Sequence, residues 1–207
     1  KYVERINVLG NNITREDVLR QKLSLDEGDT YNEILLKKSI NNLKSLNFFK
    51  SVIYSVSDGS NSDMKIINIE VDEKATGEIL AGAGFGTNGG TIGFGIKENN
   101  FMGKGIKFDT NLELSEEQIR GQFSVFNPNF RGSDNALSTN FQSLTNDLMS
   151  DYGYKTTKTG VSFGTRFEYY ENLFLSPSIS SFYESLKTTS TASNTLKKQR
   201  GTYFDTD

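Results

Sequence analysis

Between about Glu78 and Leu186 the large apolar residues of this chain fall on alternate positions, segment after segment. In GIKFDTNLEL, Ile106, Phe108, Leu112 and Leu114 share one parity with Thr110, while Lys107, Asp109, Asn111 and Glu113 hold the other. TIGFGIK splits the same way (Ile92, Phe94 and Ile96 against Gly93, Gly95 and Lys97). So does GVSFGTRFEY, with Val161, Phe163, Phe167 and Tyr169 against Ser162, Gly164, Arg166 and Glu168. A period of two puts each set on its own face of a sheet. In a soluble protein the greasy face needs a covering layer, and no amphipathic helix follows to supply one. A closed sheet with lipid outside and water inside needs no such layer. The pattern predicts transmembrane strands.

Composition narrows the function classes. The chain has no histidine and no cysteine, which removes the commonest general base, the commonest metal ligand, thiolate chemistry and disulfides. That directs the reading away from enzymes, with no catalytic residue, no metal site and no cofactor expected. Net charge is -3 and the 23 basic residues are not gathered into a patch, so nucleic acid is not expected as a partner. Mean hydropathy is -0.50, and no apolar run nears the roughly 18 residues of a membrane helix. Barrels escape that test, because only every second residue of their strands need be apolar. The sequence starts at Lys1 with neither signal peptide nor initiator Met and reads as a processed or excised piece, so the missing signal is silent on compartment.

Residues 1–76 have a different texture. YVERINVLG reads as a strand. Thr14, three residues before Asp17, resembles the start of a capping box for a helix over REDVLRQKL, with Val18, Leu19 and Leu23 on its face. LDEGDTY is a loop in which Gly28 takes a left-handed conformation. A second helix is predicted over YNEILLKKSINNLKSL, where Ile34, Leu35, Ile40, Leu43 and Leu46 sit near 3.6 spacing. SVIYSVS and MKIINIEVDEK are strands separated by a turn at Asp58-Gly59. The predicted order is β-α-α-β-β, an α+β module. From 77 to 207, strands are predicted near 79–87, 91–99, 105–115, 118–127, 136–147, 157–169 and 173–186, with an eighth starting at Thr202. NNFMGKG, NPNFRGSDN and EYYENL are turns, whereas SLTNDLMSDYGYKTT and SLKTTSTASNTLKKQRG are long polar connections. Short turns on one rim and long loops on the other suit an outer-membrane barrel. Ending on YFDTD, the sequence stops within a strand, so an incomplete barrel is expected.

These features resemble a known family. YVERINVLGNNIT, a helix and LKSLNFFKSVIYSV look like a POTRA domain. GFGTNGGTIGFGIKENNFMGKGIKF looks like the first two barrel strands of the BamA-type outer-membrane insertases, and FSVFNPNF is similar to the end of their fourth strand. The resemblance implies a periplasmic POTRA domain over 1–76 and the N-terminal part of an outer-membrane β-barrel over 77–207. It implies insertion of other β-barrel proteins into the outer membrane, without ATP or cofactor. Implied partners are outer-membrane protein clients, accessory lipoproteins and the lipid bilayer. Two-partner secretion barrels and TamA-like factors of the same superfamily stay open, as does an outer-membrane barrel hydrolase, since the family's Arg-Gly-Phe/Tyr loop is absent here.

GFGTNG matches a dinucleotide fingerprint, Gly84 to Gly89, but that needs a helix to follow, and TIGFGIK follows with period two. The glycines of EILAGAGFG admit two readings. Gly82, Gly84 and Gly86 relieve crowding inside a curved barrel, or they let this strand pair loosely with the barrel's last strand, so that the seam opens and its bare edge templates a client strand. On the second reading, which the resemblance supports, the working residues are the backbone of Glu78, Ile79, Leu80, Ala81, Gly82, Ala83, Gly84, Phe85, Gly86 and Thr87. The acidic loop with Asp26 and Glu27 is either a solvated loop or a docking contact for a basic patch on an accessory lipoprotein. The carboxylate pairs Glu116-Glu117 and Asp72-Glu73 are expected to be solvated. MKIINIEV either pairs only within the small module or offers a free edge to an extended client segment.

Overall fold

In the computed structural model, residues 1–86 and 89–206 are described. The chain divides into two units, one of Lys1–Thr76 with Asn99–Gly105 and the other of Gly77–Glu98 with Ile106–Asp207.

The first unit is built from β1 (Tyr2–Leu9), α1 (Glu16–Arg20), α2 (Glu33–Ser45), β2 (Phe49–Asp58) and β3 (Met64–Glu73). Its sheet runs β1-β3-β2, with β1 parallel to β3 and β3 antiparallel to β2. Alternation along β3 turns Ile67, Ile69 and Val71 to one face, where they join Val3, Ile6 and Val52 from the flanking strands. In α2 the buried positions Leu36, Ser39, Ile40 and Leu43 recur at three- and four-residue spacing and close that core. Asn32 caps α2 by accepting hydrogen bonds from the Ile34 and Leu35 amides. The Ser39 hydroxyl donates to the Leu35 carbonyl and accepts from the Ser24 amide, so a polar group at the centre of the core is satisfied. Gly28 has φ +96°, the left-handed conformation expected of it.

α1 is shorter than the nine residues expected and lacks the expected cap. Its N-cap is Arg15, with no side-chain cap bond. Thr14 is unavailable for capping: its hydroxyl accepts from Asn100 Nδ2 at 2.8 Å, and its amide donates to Glu73 at 2.7 Å.

The second unit is one antiparallel sheet in the order β12-β11-β9-β8-β7-β6-β5-β4. Its strands are β4 (Gly77–Gly86), β5 (Gly89–Phe101), β6 (Ile106–Ser115), β7 (Gln118–Asn127), β8 (Ala136–Leu148), β9 (Tyr154–Tyr170), β11 (Ser178–Thr188) and β12 (Gly201–Thr206). A three-residue strand, β10 (Leu173–Leu175), pairs with β9. The last residues of β5 belong to the first unit. Neighbours in chain order are neighbours in the sheet, so the registers keep alternate residues on a common face: Phe141 stands opposite both Phe123 and Val161, and Phe163 opposite both Thr139 and Ile179.

Two expectations fail in this sheet. The polar SLTNDLMSDYGYKTT stretch is not a long loop, because β8 runs to Leu148 and β9 begins at Tyr154, leaving a five-residue connection. Cross-strand polar pairs sustain that extension: Ser143 with Thr159, Thr145 with Thr157, and Asn146 with Thr156. The contrast of rims is therefore weaker than the sequence suggests, and only the stretch before β12 remains long. It folds in part as α3 (Asn194–Lys198). The strand predicted over 173–186 is also broken, into β10 and β11, at Ser176-Pro177, where the proline has no amide to donate to a ladder.

Candidate functional site

β4 occupies one end of the sheet and pairs only with β5, from Gly77↔Glu98 to Gly86↔Gly89. In an antiparallel pair each residue turns both backbone polar groups either toward its neighbour or away from it. Every second residue of β4 therefore presents N–H and C=O outward, with no partner strand among the described residues. All ten β4 residues are exposed.

The two faces of β4 differ. Ile79, Ala81, Ala83 and Phe85 lie on the apolar face, with Phe85 96% exposed. On the other face Gly82 stands opposite Gly93, Leu80 opposite Gly95, and Gly86 opposite Gly89. The result is an open trough of about 580 Å³ floored by backbone and bordered by Leu80, Thr91, Asn111 and Glu113. A Cβ at Gly82, Gly84 or Gly86 would meet nothing within 4 Å among the described residues. Two other glycines of the sheet differ sharply. At Gly160 a Cβ would overlap the ring of Phe182, which stands opposite on β11, and at Gly95 it would lie 2.6 Å from Asn111 Oδ1. Within this chain Gly160 and Gly95 make room for described neighbours, whereas no described atom crowds the three glycines of β4. Of the edge residues named from sequence, Glu78 through Gly86 share this one strand, and Thr87 lies outside the described residues. The chain enters β5, not a helix, at Gly89, so GFGTNG lacks the setting of a dinucleotide loop.

In the first unit the structure takes the alternative of pairing within the module. MKIINIEV forms β3, the central strand, hydrogen-bonded on both sides, so it accepts no further strand. The outer edge of β1 is covered by the loop before α2. Val3 N–H donates to the Asp29 carbonyl (2.8 Å), Gly28 N–H to the Val3 carbonyl (2.7 Å) and Tyr31 N–H to the Lys1 carbonyl (2.8 Å). Among the described residues, the strand of this sheet whose outer edge carries no partner strand or loop is β2. Glu27 belongs to the cover: its carboxylate accepts the Ile6 amide at 3.0 Å and lies 3.7 Å from Arg20 Nη1. Asp26, beside it, is exposed.

A second constellation was missed in the sequence. Asn100, only 5% exposed, donates to the Thr14 hydroxyl and accepts the Gly105 amide at 2.8 Å. Arg15 N–H donates to the Gly103 carbonyl at 2.9 Å, and a Cβ at Gly103 (φ +68°) would collide with the Ile13 carbonyl. From the other side Glu73 accepts the Ile13 and Thr14 amides at 2.8 and 2.7 Å. Burial opposes the charge on Glu73, but these bonds, with Thr14's side chain and the Asn12 amide, outweigh it and hold the carboxyl below the ordinary range. Glu73 is thus a structural acceptor, while its neighbour Asp72 lies 3.6 Å from Lys50. The NNFMGKG turn carries the signal for this clamp, since two glycines flanking a lysine after an asparagine mark a tightly approached backbone.

A small α+β module followed by sequentially paired antiparallel strands with an outward apolar face defines a class: a POTRA domain leading into the strands of an outer-membrane β-barrel. Comparison with known proteins agrees. The POTRA family ("Surface antigen variable number repeat") matches residues 1–74. The outer membrane protein assembly factor BamA of Buchnera aphidicola is 27% identical over 165 residues, covering 74% of this chain and 27% of its own length. That of Neisseria meningitidis is 26% identical, covering 77% and 21%. The crystal structure of Haemophilus ducreyi BamA lacking POTRA domains 1-3 shares the fold across 100% of this chain and 42% of its own, with TM-score 0.80 and 22% identity. The chain is thus similar in sequence to BamA proteins and shares the fold of one, with its POTRA match confined to residues 1–74. It spans about a quarter of the length of the curated relatives it matches.

Proposed function

We propose that this chain is part of a non-enzymatic outer-membrane assembly factor, its POTRA domain in the periplasm, and that the β4 edge templates the strands of client barrels. The observation that supports this most is that β4 is an end strand, fully exposed, with bare backbone at Gly82, Gly84 and Gly86. A client strand hydrogen-bonded to it satisfies backbone groups whose exposure in hydrocarbon costs several kcal/mol each. Burial of the client's apolar face in lipid supplies further driving force. No ATP, metal or cofactor enters this scheme. The open β2 edge of the POTRA domain is a place for an extended client segment before it reaches β4.

The test is a disulfide in the full-length protein between a cysteine at Ala81 and one on the strand that closes the barrel against β4. Client insertion is expected to stop when the bond forms and to resume on reduction; insertion at the normal rate with the seam locked overturns the reading. A secretion barrel of the same superfamily instead predicts export of one dedicated partner through the lumen, unaffected by the lock. For docking of an accessory lipoprotein through Asp26 and Glu27, Asp26→Lys is the cleaner variant, because Glu27 also holds β1. Unchanged co-purification of the lipoprotein with Asp26→Lys removes that contact.

A further inference from the structure

We infer that the cationic end of β9, β11 and β12, presenting Lys155, Lys187, Lys198 and Arg200, binds the phosphate-bearing headgroups of lipids at the membrane boundary. The inference rests on the reading of this sheet as membrane-spanning.

The registers fix what one face presents along these strands. Ile179 stands opposite Phe163, and Tyr183 stands opposite Thr159 and Phe204. Next come Ser185 opposite Thr157 and Thr202, then Lys187 opposite Lys155. One continuous face thus passes from apolar and aromatic groups through hydroxyls to cations. At about 3.3 Å per residue, Lys187 lies roughly 13 Å along the strand from Tyr183, or about 9 Å along the membrane normal for a strand tilted about 45°. The headgroup layer adds about 5–8 Å on each side of the hydrocarbon core. With the aromatic residue at the hydrocarbon boundary, the lysine backbone stands at the outer edge of the headgroup layer, and its flexible side chain reaches back to the phosphates.

The charges at this end are only partly balanced by protein, by Asp147 and by Asp151 in the β8–β9 connection. Like charges directly opposite in a sheet repel, and Asp147, 2.7 Å from Lys155, offsets only one of the pair. Lys187, Lys198 and Arg200 are exposed and have no carboxylate within ion-pair distance among the described residues. From Lys187 to Tyr203 the sequence holds four cations and no acidic residue. The segment carrying them is folded: Thr189 N–H donates to the Gly153 carbonyl at 2.8 Å, Lys197 bonds the Ser190 carbonyl, and Ala192 is 4% exposed. Two cations on facing strand ends and two in the folded segment that joins β11 to β12 are complementary to lipid phosphates.

The test uses the full-length protein reconstituted in phosphatidylcholine vesicles, with spin-labelled phosphatidylglycerol or phosphatidylcholine reporting the lipids slowed at its surface. Phosphatidylglycerol is expected to be preferred roughly two- to five-fold, less so as salt rises from about 0.05 to about 0.5 M. The preference should fall to parity in the triple variant K187Q/K198Q/R200Q and persist in K37Q/K38Q, whose lysines lie on α2. Should the triple variant fail to insert, K187Q alone is expected to remove part of the preference. Equal slowing of both lipids by the unaltered protein, or a preference that survives in the inserted variants, overturns the inference. So does loss of the preference to millimolar inorganic phosphate at constant ionic strength, which assigns a free-anion site, or to soluble polyglutamate, which assigns an acidic protein partner. Absence of any slowed lipid overturns the membrane-spanning reading itself.

Discussion

The two units of this chain use the same alternation of apolar and polar residues to opposite ends. In the POTRA domain Ile67, Ile69 and Val71 are buried almost completely under α1 and α2. In the long sheet the equivalent alternate residues face outward uncovered, with Ile79 75% and Phe204 73% exposed. Apart from Ala136 and Ala192, every buried hydrophobic residue among those described belongs to the first unit. A pattern of period two fixes only that one face is apolar. Helices cover that face in the small unit. In the large one no helix among the described residues does so, and on the proposed membrane-spanning reading lipid is the covering layer.

The sharpest way to break this contrast is to substitute both apolar sets. Leu43→Ala should destabilise the POTRA domain by about 2–5 kcal/mol, read from denaturant-dependent proteolysis, while leaving insertion of the strands intact. Phe163→Arg should do the reverse, costing about 2–4 kcal/mol of folding into vesicles if the residue sits near mid-bilayer. Equal tolerance of Phe163→Arg and of an arginine on the other face of β9 would remove lipid as the covering layer.

A smaller effect probes the clamp around Thr14. Asn100→Ala leaves the Thr14 hydroxyl and the Gly105 amide without their partner and should cost about 1–3 kcal/mol. Thr14→Ser keeps the bond and should cost less. Hydrogen exchange at the Thr14 and Gly105 amides should rise in Asn100→Ala well before it rises at Ile67. Uniform acceleration at all three sites would mean that Asn100 only supports the core.

The smallest effect is a pH dependence. The Glu73 carboxyl has a folded-state value lower than its ordinary one, so the unfolded chain binds the proton more tightly. Its contribution is present in full at neutral pH and is lost as pH falls below the ordinary carboxylate value of about 4.3, through the lower folded value. Glu73→Gln should flatten that part of the acid limb of the stability curve. An unchanged limb would show that the bonds from Ile13 and Thr14 do not favour the charged form.

Local signals carried much of this fold. The spacing of Leu35, Ile40 and Leu43 marked α2, although Ile34, placed on the same face, is exposed and Leu36 is buried instead; glycine marked the left-handed turn at Gly28, and alternation marked most strands of the sheet within two or three residues. Those signals fail where a distant partner competes. Thr14 has the look of a cap, yet a buried asparagine 86 positions away takes its hydroxyl. SLTNDLMSDYGYKTT has the look of a loop, yet Ser and Thr side chains pair across β8 and β9 and keep both strands extended. MKIINIEV has the look of any three-stranded edge, yet parallel pairing with β1 places it at the centre.

The sequence by itself determined that the chain has two textures, that the second forms strands with one apolar face, and that residues 78 to 86 make a strand poor in side chains. Those are properties of near neighbours, set by side-chain period and glycine content. Only the tertiary structure decided which backbone edges stay open. Among the described residues it buried β3 between partners, covered β1 with the Glu27 loop, and left β4 and β2 with one strand partner each. It also showed that Gly160 yields space to Phe182 while Gly82, Gly84 and Gly86 yield it to nothing among the described residues. An edge is defined by the absence of a pairing partner, and pairing between distant segments is a non-local quantity that no short window of sequence contains.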